Sequence, residues 1–341
     1  MTIRLSVVTS LYKSANFVRE FYTRVAEAAA KVTPDWEIVM VNDGSPDDSL
    51  QIAVDLHRRD PRVRIVDLSR NFGHHKALMT GLLHARGSLV FVIDSDLEED
   101  PAWIPVFYEA MQSTGADAIY GVQQARKGGW FERTGGALFY TIFNKLLTHP
   151  FPPNIVTARL MTRRYVDALV QHREQEVSLA GLSTITGYDQ RPLTVNKGTR
   201  GDSSYGWRRR ISAFVTAITS FSNRPLLYIF QLGVGVILLS MAAGIVLLYQ
   251  SMTGHVGVPG WASIMVSIWF LGGVTIFCVG VLGIYLAKVF TETKDRPYTI
   301  VRQVYGVEND TPDGVSVMDA HSRGGAEAGD TRGATRDLWH R

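Results

Sequence analysis

Acidic and basic side chains are missing from one long stretch of the chain, because residues 225–287 contain no Asp, Glu, Lys or Arg. A helix needs about 20 apolar residues to cross the ~30 Å hydrocarbon core of a bilayer. The uncharged stretch holds two segments of this kind, residues 226–250 and 261–287, with a glycine-containing turn between them. These lengths favour a transmembrane hairpin over a pair of buried core helices, so the lipid bilayer is a predicted partner.

Cysteine is almost absent, and the charge is nearly balanced. Cys278 is the single cysteine, which excludes a disulfide scaffold and a Cys-ligated zinc site. The net charge of +3 is too small to indicate a nucleic-acid partner. Basic residues flank the uncharged stretch at 208–210 and 224 before it and at 288, 294, 296 and 302 after it. Because basic flanks stay on the cytoplasmic side, both ends of the chain are predicted to be cytoplasmic.

Short apolar runs alternate with helical patterns before the hairpin. The predicted strands are residues 5–9, 36–41, 63–68, 89–93 and 116–122, with helices at 14–30, 46–59, 74–86 and 102–113 between them. This alternation predicts an α/β domain with a doubly wound, mostly parallel sheet. Further helices are predicted at 137–147, 163–172 and 177–185, and a late strand at 193–196.

Composition divides the chain into five parts. Residues 1–205 form the predicted α/β domain, 206–225 an amphipathic helix at the membrane surface, and 226–250 and 261–287 the two spans. Residues 288–341 form a cytoplasmic tail whose sequence predicts disorder after about residue 306. Small residues in the second span, at 272, 273, 280 and 283, are compatible with close helix packing within one chain or in a homo-oligomer.

An acidic cluster follows the most apolar of the predicted strands. Asp94 and Asp96 come directly after Leu89–Ile93. In extended geometry their carboxylates point to one side, about 6–7 Å apart. Mg²⁺ prefers one or two carboxylates together with phosphate oxygens, so a divalent cation carrying a diphosphate fits this spacing. The alternative for an isolated Asp-x-Asp is a solvated acidic turn at the end of a strand.

Three further strand ends carry polar, glycine-punctuated sequences. They are Thr9–Tyr12, Asn42–Ser45 and Ser69–His74. In open α/β sheets the carboxyl ends of parallel strands form the ligand-binding edge. Their convergence predicts a nucleotide site, with Asp43 as an acceptor for the base or ribose, backbone amides for phosphate, and the carboxylate pair for a metal.

These motifs, in this order, resemble glycosyltransferase family 2, and more narrowly the polyprenyl-phosphate glycosyltransferases. The residues that carry the resemblance are Val7–Tyr12, Val41–Ser45, Ser69–His74, Asp94–Leu97, Arg159–Arg163 and Thr219–Leu226. The resemblance spans about residues 3–304. It implies a GT-A fold, a nucleotide-sugar donor, a polyprenyl phosphate acceptor at the cytoplasmic face of a bacterial inner membrane, inversion at the anomeric carbon, and a Mg²⁺ or Mn²⁺ requirement.

The resemblance also implies roles for single residues. Asp96 would be the main metal ligand and Asp94 would face the ribose or diphosphate, with Glu98 as a further metal ligand where these enzymes usually have Gln. The remaining predicted donor-site residues are Thr9, Ser10, Tyr12, Asp43, Phe72, Gly73, Lys76 and Ser95. Lys76 faces either the diphosphate or solvent. His74 and His75 are adjacent on a helix, which favours a surface or diphosphate contact over a metal pair.

Arginines near the membrane are predicted to bind phosphate. A phosphate monoester has a second pKa of about 6, so it is already a nucleophilic anion at neutral pH and needs positioning more than a base. The candidates are Arg126, Arg133, Arg159 and Arg200. For Arg159 a structural ion pair is an equal alternative. Val156-Thr157-Ala158 departs from the Gly-Asp-Phe usual in the family, so a carboxylate is missing there.

Several functions remain open on the sequence. A UDP-hexose, such as UDP-glucose, is the favoured donor, and GDP-mannose is the alternative. A processive polysaccharide synthase is disfavoured because the chain lacks a Gln-x-x-Arg-Trp motif and has few spans. A catalytically silent, membrane-anchored nucleotide-binding scaffold is the non-enzyme alternative, supported by Glu98 and by the departure at residues 156–158.

Overall fold

The computed structural model describes residues 3–123, 154–175, 178–198, 224–253 and 261–306. Within them, eight strands form one sheet in the order β7-β5-β6-β4-β1-β2-β3-β8. The strands are β1 Leu5–Leu11, β2 Trp36–Asn42, β3 Val63–Leu68, β4 Leu89–Val92, β5 Ala118–Gln123, β6 Ile155–Thr162, β7 Gln190–Val195 and β8 Val301–Tyr305. The helices are α1 Val18–Ala30, α2 Ser49–Arg59, α3 His74–His84, α4 Trp103–Thr114, α5 Arg163–Leu169, α6 Leu179–Thr186, α7 Arg224–Met252 and α8 Trp261–Glu292.

The centre of the sheet is parallel, as the alternation predicts. β1 pairs with β2 and β4, and β2 pairs with β3, all in parallel. Every residue of β1, β2 and β3 is buried, because helices cover both faces of a parallel sheet. One core lies between the sheet and α1, α2 and α4, and a second lies on the side of α3, α5 and α6. The predicted α/β class and mostly parallel sheet are confirmed.

Three strands differ from the sequence prediction. β6 is not predicted by the local pattern, and it lies antiparallel between β4 and β5. β8 is not predicted either, and it pairs antiparallel with β3 at the edge of the sheet. β7 begins at Gln190, ahead of the predicted residue 193, and includes Pro192. Proline is tolerated there because β7 is an edge strand, where a backbone N–H is not needed on the open side.

The two segments predicted to span a membrane are long helices. α7 has 29 residues and α8 has 32. Residues Ser267–Glu292 of α8 form the one described helix that is long and apolar enough, by length and composition, to cross a membrane. Large apolar side chains are exposed along both helices, including Phe230, Leu239, Trp269 and Ile276. The two-span hairpin itself stays a prediction.

Several predicted features lie outside the described residues. They are the helix at 137–147, residues 206–223 of the predicted surface helix 206–225, residues 254–260 of the predicted turn 250–260, and the tail after residue 306. Residues 224 and 225 instead begin α7, and residues 250–252 end it. The predicted domain boundaries therefore stay predictions.

Candidate active site

The polar strand ends predicted from the sequence meet at one edge of the sheet. β1 lies between β2 and β4 and is parallel to both, so the residues that follow these strands emerge side by side. Two loops form most of this edge. The β3–α3 loop, Ser69–Gly73, follows β3, and the acidic loop, Asp94–Asp100, follows β4.

Asp43 organises the β3–α3 loop. It is buried at the end of β2, and its carboxylate accepts hydrogen bonds from the backbone N–H groups of Phe72, at 2.7 Å, and Gly73, at 3.0 Å. Burial raises the pKa of Asp43, while these two hydrogen bonds and the nearby His74 and Arg70 oppose the rise. The carboxylate thus fixes the loop, and the predicted contact of Asp43 with a base or ribose stays a prediction.

Gly44 permits the β3–α3 loop to lie close to the backbone that follows β2. Its φ is +58°, and a Cβ atom there would lie 2.5 Å from the backbone C of Arg70 and from the backbone N of Asn71. Asn71 in turn donates its side-chain N–H to the carbonyl oxygen of Asp43, at 3.2 Å. Only glycine fits both the conformation and the space at residue 44.

His74 connects the end of β1 to the acidic loop. Its Nδ1 shares a hydrogen bond of 2.7 Å with Oγ of Ser10. Its Nε2 lies 3.2 Å from Oδ1 of Asp94. The neighbouring side chain of Ser95 donates to the carbonyl oxygen of Ser10 at 2.9 Å. The predicted donor-site residues Ser10, Asp94 and Ser95 are therefore brought together by direct contacts.

Asp94 lies largely buried between α3 and β6. Thr157 on β6 donates its hydroxyl to Oδ2 of Asp94 at 2.9 Å. Oδ1 is buried and accepts no hydrogen bond within the described residues, although His74 Nε2 is nearby. Burial raises the pKa of Asp94, while the neighbouring His74 and Lys197 and the hydrogen bond from Thr157 oppose the rise.

Asp96 occupies the turn that redirects the chain after β4. Its Oδ1 accepts the backbone N–H of Glu98 at 3.0 Å, and Leu97 between them has a φ of +62°. A residue other than glycine rarely adopts this left-handed backbone conformation. Such residues are found mainly where surrounding contacts fix the backbone, often at functional sites. The turn sets the direction of the Asp96 carboxylate beside Asp94.

Glu98 and Glu99 share one cationic partner. Nζ of Lys197, just after β7, lies 3.4 Å from Oε2 of Glu98 and 3.8 Å from Oε1 of Glu99. The backbone N–H of Gly198 also donates to the carbonyl oxygen of Glu98 at 2.9 Å. Burial lowers the pKa of Lys197, but the surrounding carboxylates outweigh this effect and raise it. The pairing favours a structural role for Glu98, and its predicted role as a metal ligand stays a prediction.

Glu99 is the most buried carboxyl group of the acidic loop, with no exposed surface. Its Oε1 accepts the backbone N–H of Thr157 at 2.8 Å. Burial and the adjacent Asp94 raise the pKa of Glu99 to about 7. Glu99 therefore places a buried carboxyl group beside Thr157, within the segment 156–158 where the sequence departs from the predicted family pattern.

The donor set fits a divalent cation that is shared with a diphosphate. Among the residues that the structure describes, no three His, Cys, Asp or Glu side chains are grouped so as to hold a metal alone. Mg²⁺ does not need such a group, because it keeps waters and binds one or two carboxylates plus phosphate oxygens. The Oδ1 atom of Asp94, which accepts no hydrogen bond from the described residues, is an oxygen that a cation would satisfy.

Arg159 lies on β6 with its guanidinium turned toward α6. Its Nη1 donates to Oγ of Ser183 at 2.6 Å, and its Nε donates to the carbonyl oxygen of Thr157 at 3.2 Å. No ion pair of Arg159 is found in the described part of the chain. Arg159 instead borders a cavity of about 180 Å³, whose other lining residues are Ala118, Tyr120, Ile155, Tyr165, Ala180, Ser183, Thr184 and Gln190.

The remaining predicted donor-site residues lie around the same edge. Thr9 is fully buried, and its hydroxyl has no hydrogen-bond partner among the described residues. Tyr12 is 47% exposed, and Nζ of Lys13 lies 5.7 Å from the centroid of its ring. Phe72 lies under the guanidinium of Arg70, with 4.2 Å between the Arg70 Cζ and the ring centroid. Lys76 lies in the first turn of α3.

Three of the arginines predicted to bind phosphate, Arg126, Arg133 and Arg200, lie outside the described residues.

Local sequence patterns predict no role for Glu99 or Lys197, and for Thr157 they show only a departure from the family pattern. Glu99 carried one local signal, since it continues the acidic run. The contacts of Thr157 and Lys197 with the acidic loop join residues about 60 and 100 positions apart, which no local pattern reveals.

The family model that matches this chain and the following three similar proteins are all described as glycosyltransferases. The model of "Glycosyl transferase family 2" matches residues 6–170. A glycosyltransferase of Mycobacterium tuberculosis is 52% identical over 93% of this chain and 93% of its own length. A prophage-derived bactoprenol glucosyl transferase of Shigella flexneri is 31% identical over 88% of this chain and 98% of its own. A solved mannosyltransferase from Pyrobaculum calidifontis, in complex with GDP-Man and Mn²⁺, is more remote, at 15% identity and a TM-score of 0.46 over 87% of this chain and 88% of that one.

Proposed function

The chain belongs to glycosyl transferase family 2 and is a glycosyltransferase, and we propose that it transfers a hexose from a nucleotide sugar to a polyprenyl phosphate. The favoured donor is UDP-glucose or a similar UDP-hexose, and the favoured acceptor is undecaprenyl phosphate. The product is a lipid-linked sugar for the assembly or modification of cell-envelope glycans.

One observation carries this proposal. A sheet edge with a nucleotide-type polar constellation occurs in the same chain as a long apolar helix, and the bactoprenol glucosyl transferase of Shigella flexneri is similar over 88% of this chain and 98% of its own length. A helix whose Trp269 is 79% exposed and whose Ile276 is 76% exposed is typical of a membrane or protein contact and not of a surface in water. A lipid acceptor accounts for both features.

The reaction is a single displacement. An oxygen of the polyprenyl phosphate forms a bond to the anomeric carbon, and the bond from that carbon to the donor's diphosphate breaks with its electron pair leaving on the diphosphate. The configuration at the anomeric carbon is inverted. Because the acceptor phosphate is already an anion at neutral pH, no side chain has to remove a proton from it. Catalysis then depends on positioning and on stabilising the leaving diphosphate.

The chain's own residues supply that positioning. Asp94 and Asp96 would hold Mg²⁺ or Mn²⁺, which when bound neutralises charge on the leaving diphosphate. The hydroxyl of Thr157 donates to Oδ2 of Asp94, and Nε2 of His74 lies 3.2 Å from Oδ1 of the same carboxylate. Asp43 orders the β3–α3 loop beside it. Arginines of the segments near the membrane, with Arg126 and Arg133 as candidates, would bind the acceptor phosphate.

We place the protein in the bacterial inner membrane as a multi-pass protein. The basic residues Arg224, Lys288 and Lys294 flank the uncharged stretch 225–287, and such flanks favour the cytoplasmic side. This orientation puts the sheet edge, both chain ends and the nucleotide sugar in the cytoplasm.

The test is a transfer assay on the full-length protein purified in detergent. It uses Mn²⁺ or Mg²⁺, undecaprenyl phosphate, and radiolabelled UDP-glucose, UDP-galactose or GDP-mannose, with detection of the lipid-linked sugar. The expected result is a product from one UDP-hexose that depends on both metal and acceptor. A product from GDP-mannose alone would support the mannosyltransferase alternative. Nucleotide binding with no product from any donor would support the silent scaffold.

A further inference from the structure

The chain returns to the sheet after its last helix. α8 ends at Glu292, and residues 298–305 then run along the edge of the sheet, where residues 301–305 form β8 against β3. We call residues 298–305 the return segment. β3 leads directly into the β3–α3 loop, so the return segment lies beside the start of one of the two loops that form the active-site edge.

Both backbone groups of Ser69, the first residue of the β3–α3 loop, are bonded to the return segment. The N–H of Ser69 donates to the carbonyl oxygen of Ile300 at 2.9 Å. The carbonyl oxygen of Ser69 accepts Nη2 of Arg302 at 2.6 Å. The pairing register between β3 and β8 shifts at this point, between Asp67 and Leu68. The irregularity lets Arg302 reach past the end of the strand to the loop.

Arg302 also reaches a buried carboxylate that is tied to β2. Its Nη1 lies 3.3 Å from Oδ2 of Asp67, whose side chain is 3% exposed. Oδ1 of Asp67 accepts the side-chain N–H of Asn42 at 2.7 Å. Asn42 immediately precedes Asp43, the residue whose carboxylate holds the other end of the β3–α3 loop. Arg302 is therefore bonded to Ser69 at the start of the loop. Through Asp67 and Asn42 it is also connected to the end of β2, where Asp43 binds the other end of the loop.

The return segment also touches the helix after the loop. Oγ1 of Thr299 and Oγ1 of Thr80, on α3, are 2.8 Å apart. Tyr298, Val301 and Val304 pack against the same apolar cluster as Phe72 of the loop. Residues that come after α8 thus contact the β3–α3 loop at its start, Ser69, and contact the helix that follows the loop at Thr80.

We propose that the return segment, through Arg302, is a positioning element of the nucleotide-sugar site. Its role is to order residues 69–73 so that the N–H groups of Phe72 and Gly73 stay bonded to Asp43 and the loop keeps the shape that receives a nucleoside diphosphate. This inference rests on the proposed function for the identity of the ligand. It assigns Arg302 no contact with the reacting atoms.

Gln175 of the α/β domain makes two hydrogen bonds to the link between α8 and the return segment. The backbone N–H of Gln175 donates to Oε1 of Glu292 at 2.9 Å, and its side-chain amide donates to the carbonyl oxygen of Arg296. The short link between α8 and the return segment is therefore attached to the α/β domain at both ends.

The test compares Arg302→Ala with Gln303→Ala in the full-length protein in detergent. Gln303 is a matched control, because it is an exposed neighbour on β8 whose side chain makes no hydrogen bond within the described part of the chain. The probe is UDP with Mn²⁺, measured by calorimetry. We expect the dissociation constant to rise about 3- to 10-fold for Arg302→Ala, the range for loss of one ordinary hydrogen bond, because Arg302 orders the loop and does not contact the ligand. For Gln303→Ala we expect a rise of less than about twofold. Arg302→Lys should recover part of the loss.

Two further readouts separate positioning from general destabilisation. Amide hydrogen exchange in residues 69–73 should accelerate in Arg302→Ala and not in Gln303→Ala, while exchange in β1 stays unchanged. In the transfer assay, the KM for the donor should rise, while kcat and the KM for the acceptor stay near wild type.

The outcomes are distinguishable from failure of the proposed function. If wild-type protein binds UDP and Arg302→Ala binds it equally well, the inference is wrong and the proposed function stands. If exchange accelerates but UDP affinity is unchanged, the segment is structural only and the inference is again wrong. If wild-type protein binds neither UDP nor GDP, the proposed function fails, and unchanged exchange in residues 69–73 of Arg302→Ala would then overturn the ordering role as well.

Discussion

The Nε2 atom of His74 lies 3.2 Å from Oδ1 of Asp94, and this contact joins the β3–α3 side of the site to the acidic loop. The other ring nitrogen is bonded to Ser10 at the end of β1. One imidazole ring therefore spans three strand ends, and it touches the carboxylate oxygen that accepts no hydrogen bond from the described residues.

Replacing His74 with Ala should weaken metal-dependent nucleotide binding. Without the ring, Asp94 keeps only the Thr157 hydroxyl as a fixed partner among the described side chains. We expect the dissociation constant for UDP with Mn²⁺ to rise about tenfold, equal to about 1.4 kcal/mol. Calorimetry on the purified protein measures it, with His74→Gln as the variant that keeps a bond to Ser10. Unchanged affinity in His74→Ala would show that the bridge has no part in the site.

Glu98→Gln should be mild if Glu98 is the partner of Lys197 and not a metal ligand. The ion pair is partly exposed on both sides, at 24% and 26%, and such pairs contribute at most about 1 kcal/mol. We expect the Mn²⁺ concentration that gives half-maximal activity to change less than about threefold. A shift of about tenfold or more would restore the metal-ligand role that the family resemblance implies for Glu98.

Gly44→Ala should destabilise the protein far more than Gly115→Ala. Both glycines have positive φ, +58° and +66°, so both substitutions carry the same conformational strain of about 1 kcal/mol. At residue 115 a Cβ meets nothing within 4 Å, whereas at residue 44 it would lie 2.5 Å from backbone atoms of Arg70 and Asn71. We expect Gly44→Ala to cost at least about 3 kcal/mol. Thermal unfolding in detergent measures both, and equal losses would contradict the close approach of the two loops at residue 44.

Asp47 should make stability depend on pH in the acid range. Burial raises the pKa of Asp47, but hydrogen bonds from Ser45, Ser49 and the N–H of Ala15 outweigh it and lower the pKa from 3.8 to about 2. Because the folded pKa is depressed, the stabilisation is complete above about pH 4 and disappears as the pH falls toward 2. Allowing for partial exposure, we expect about 1–2 kcal/mol.

The measurement for Asp47 is the difference in unfolding free energy between wild type and Asp47→Asn at several pH values from about 3 to about 7. The difference should be largest at neutral pH and should shrink as the pH approaches the acid end of this range. A difference that stays constant, or that grows toward acid pH, would show that the hydrogen bonds to the ionised carboxylate do not stabilise the fold.

Local patterns were sufficient for the active-site edge. β1 to β4 are short apolar runs followed by polar or glycine residues, and each such run predicts a buried strand and the loop after it. The parallel arrangement then follows from the helices between the strands. For this reason the meeting of Ser10, Asp43, the β3–α3 loop and Asp94 could be predicted without a structure.

The parts that escaped prediction are stabilised by contacts distant in sequence. β6 lies antiparallel between β4 and β5, so its place depends on two partners rather than on its own pattern. β8 pairs with a strand more than 230 residues earlier. The pairing of Lys197 with Glu98 is likewise invisible locally, so the sequence offers no sign of the structural role that this ion pair favours for Glu98.

The most direct test of a metal-held diphosphate at the acidic loop is the binding of UDP and of GDP to the wild-type protein and to Asp96→Asn, each with and without Mn²⁺. Binding is measured as the rise in the unfolding temperature of the protein. A ligand that binds only the folded state raises the unfolding temperature as its concentration exceeds its dissociation constant. We predict that UDP stabilises the wild type only when Mn²⁺ is present, that GDP does so less, and that Asp96→Asn loses the effect of the metal. Stabilisation that is independent of Mn²⁺, or that is retained in Asp96→Asn, would contradict a metal-held diphosphate at the acidic loop.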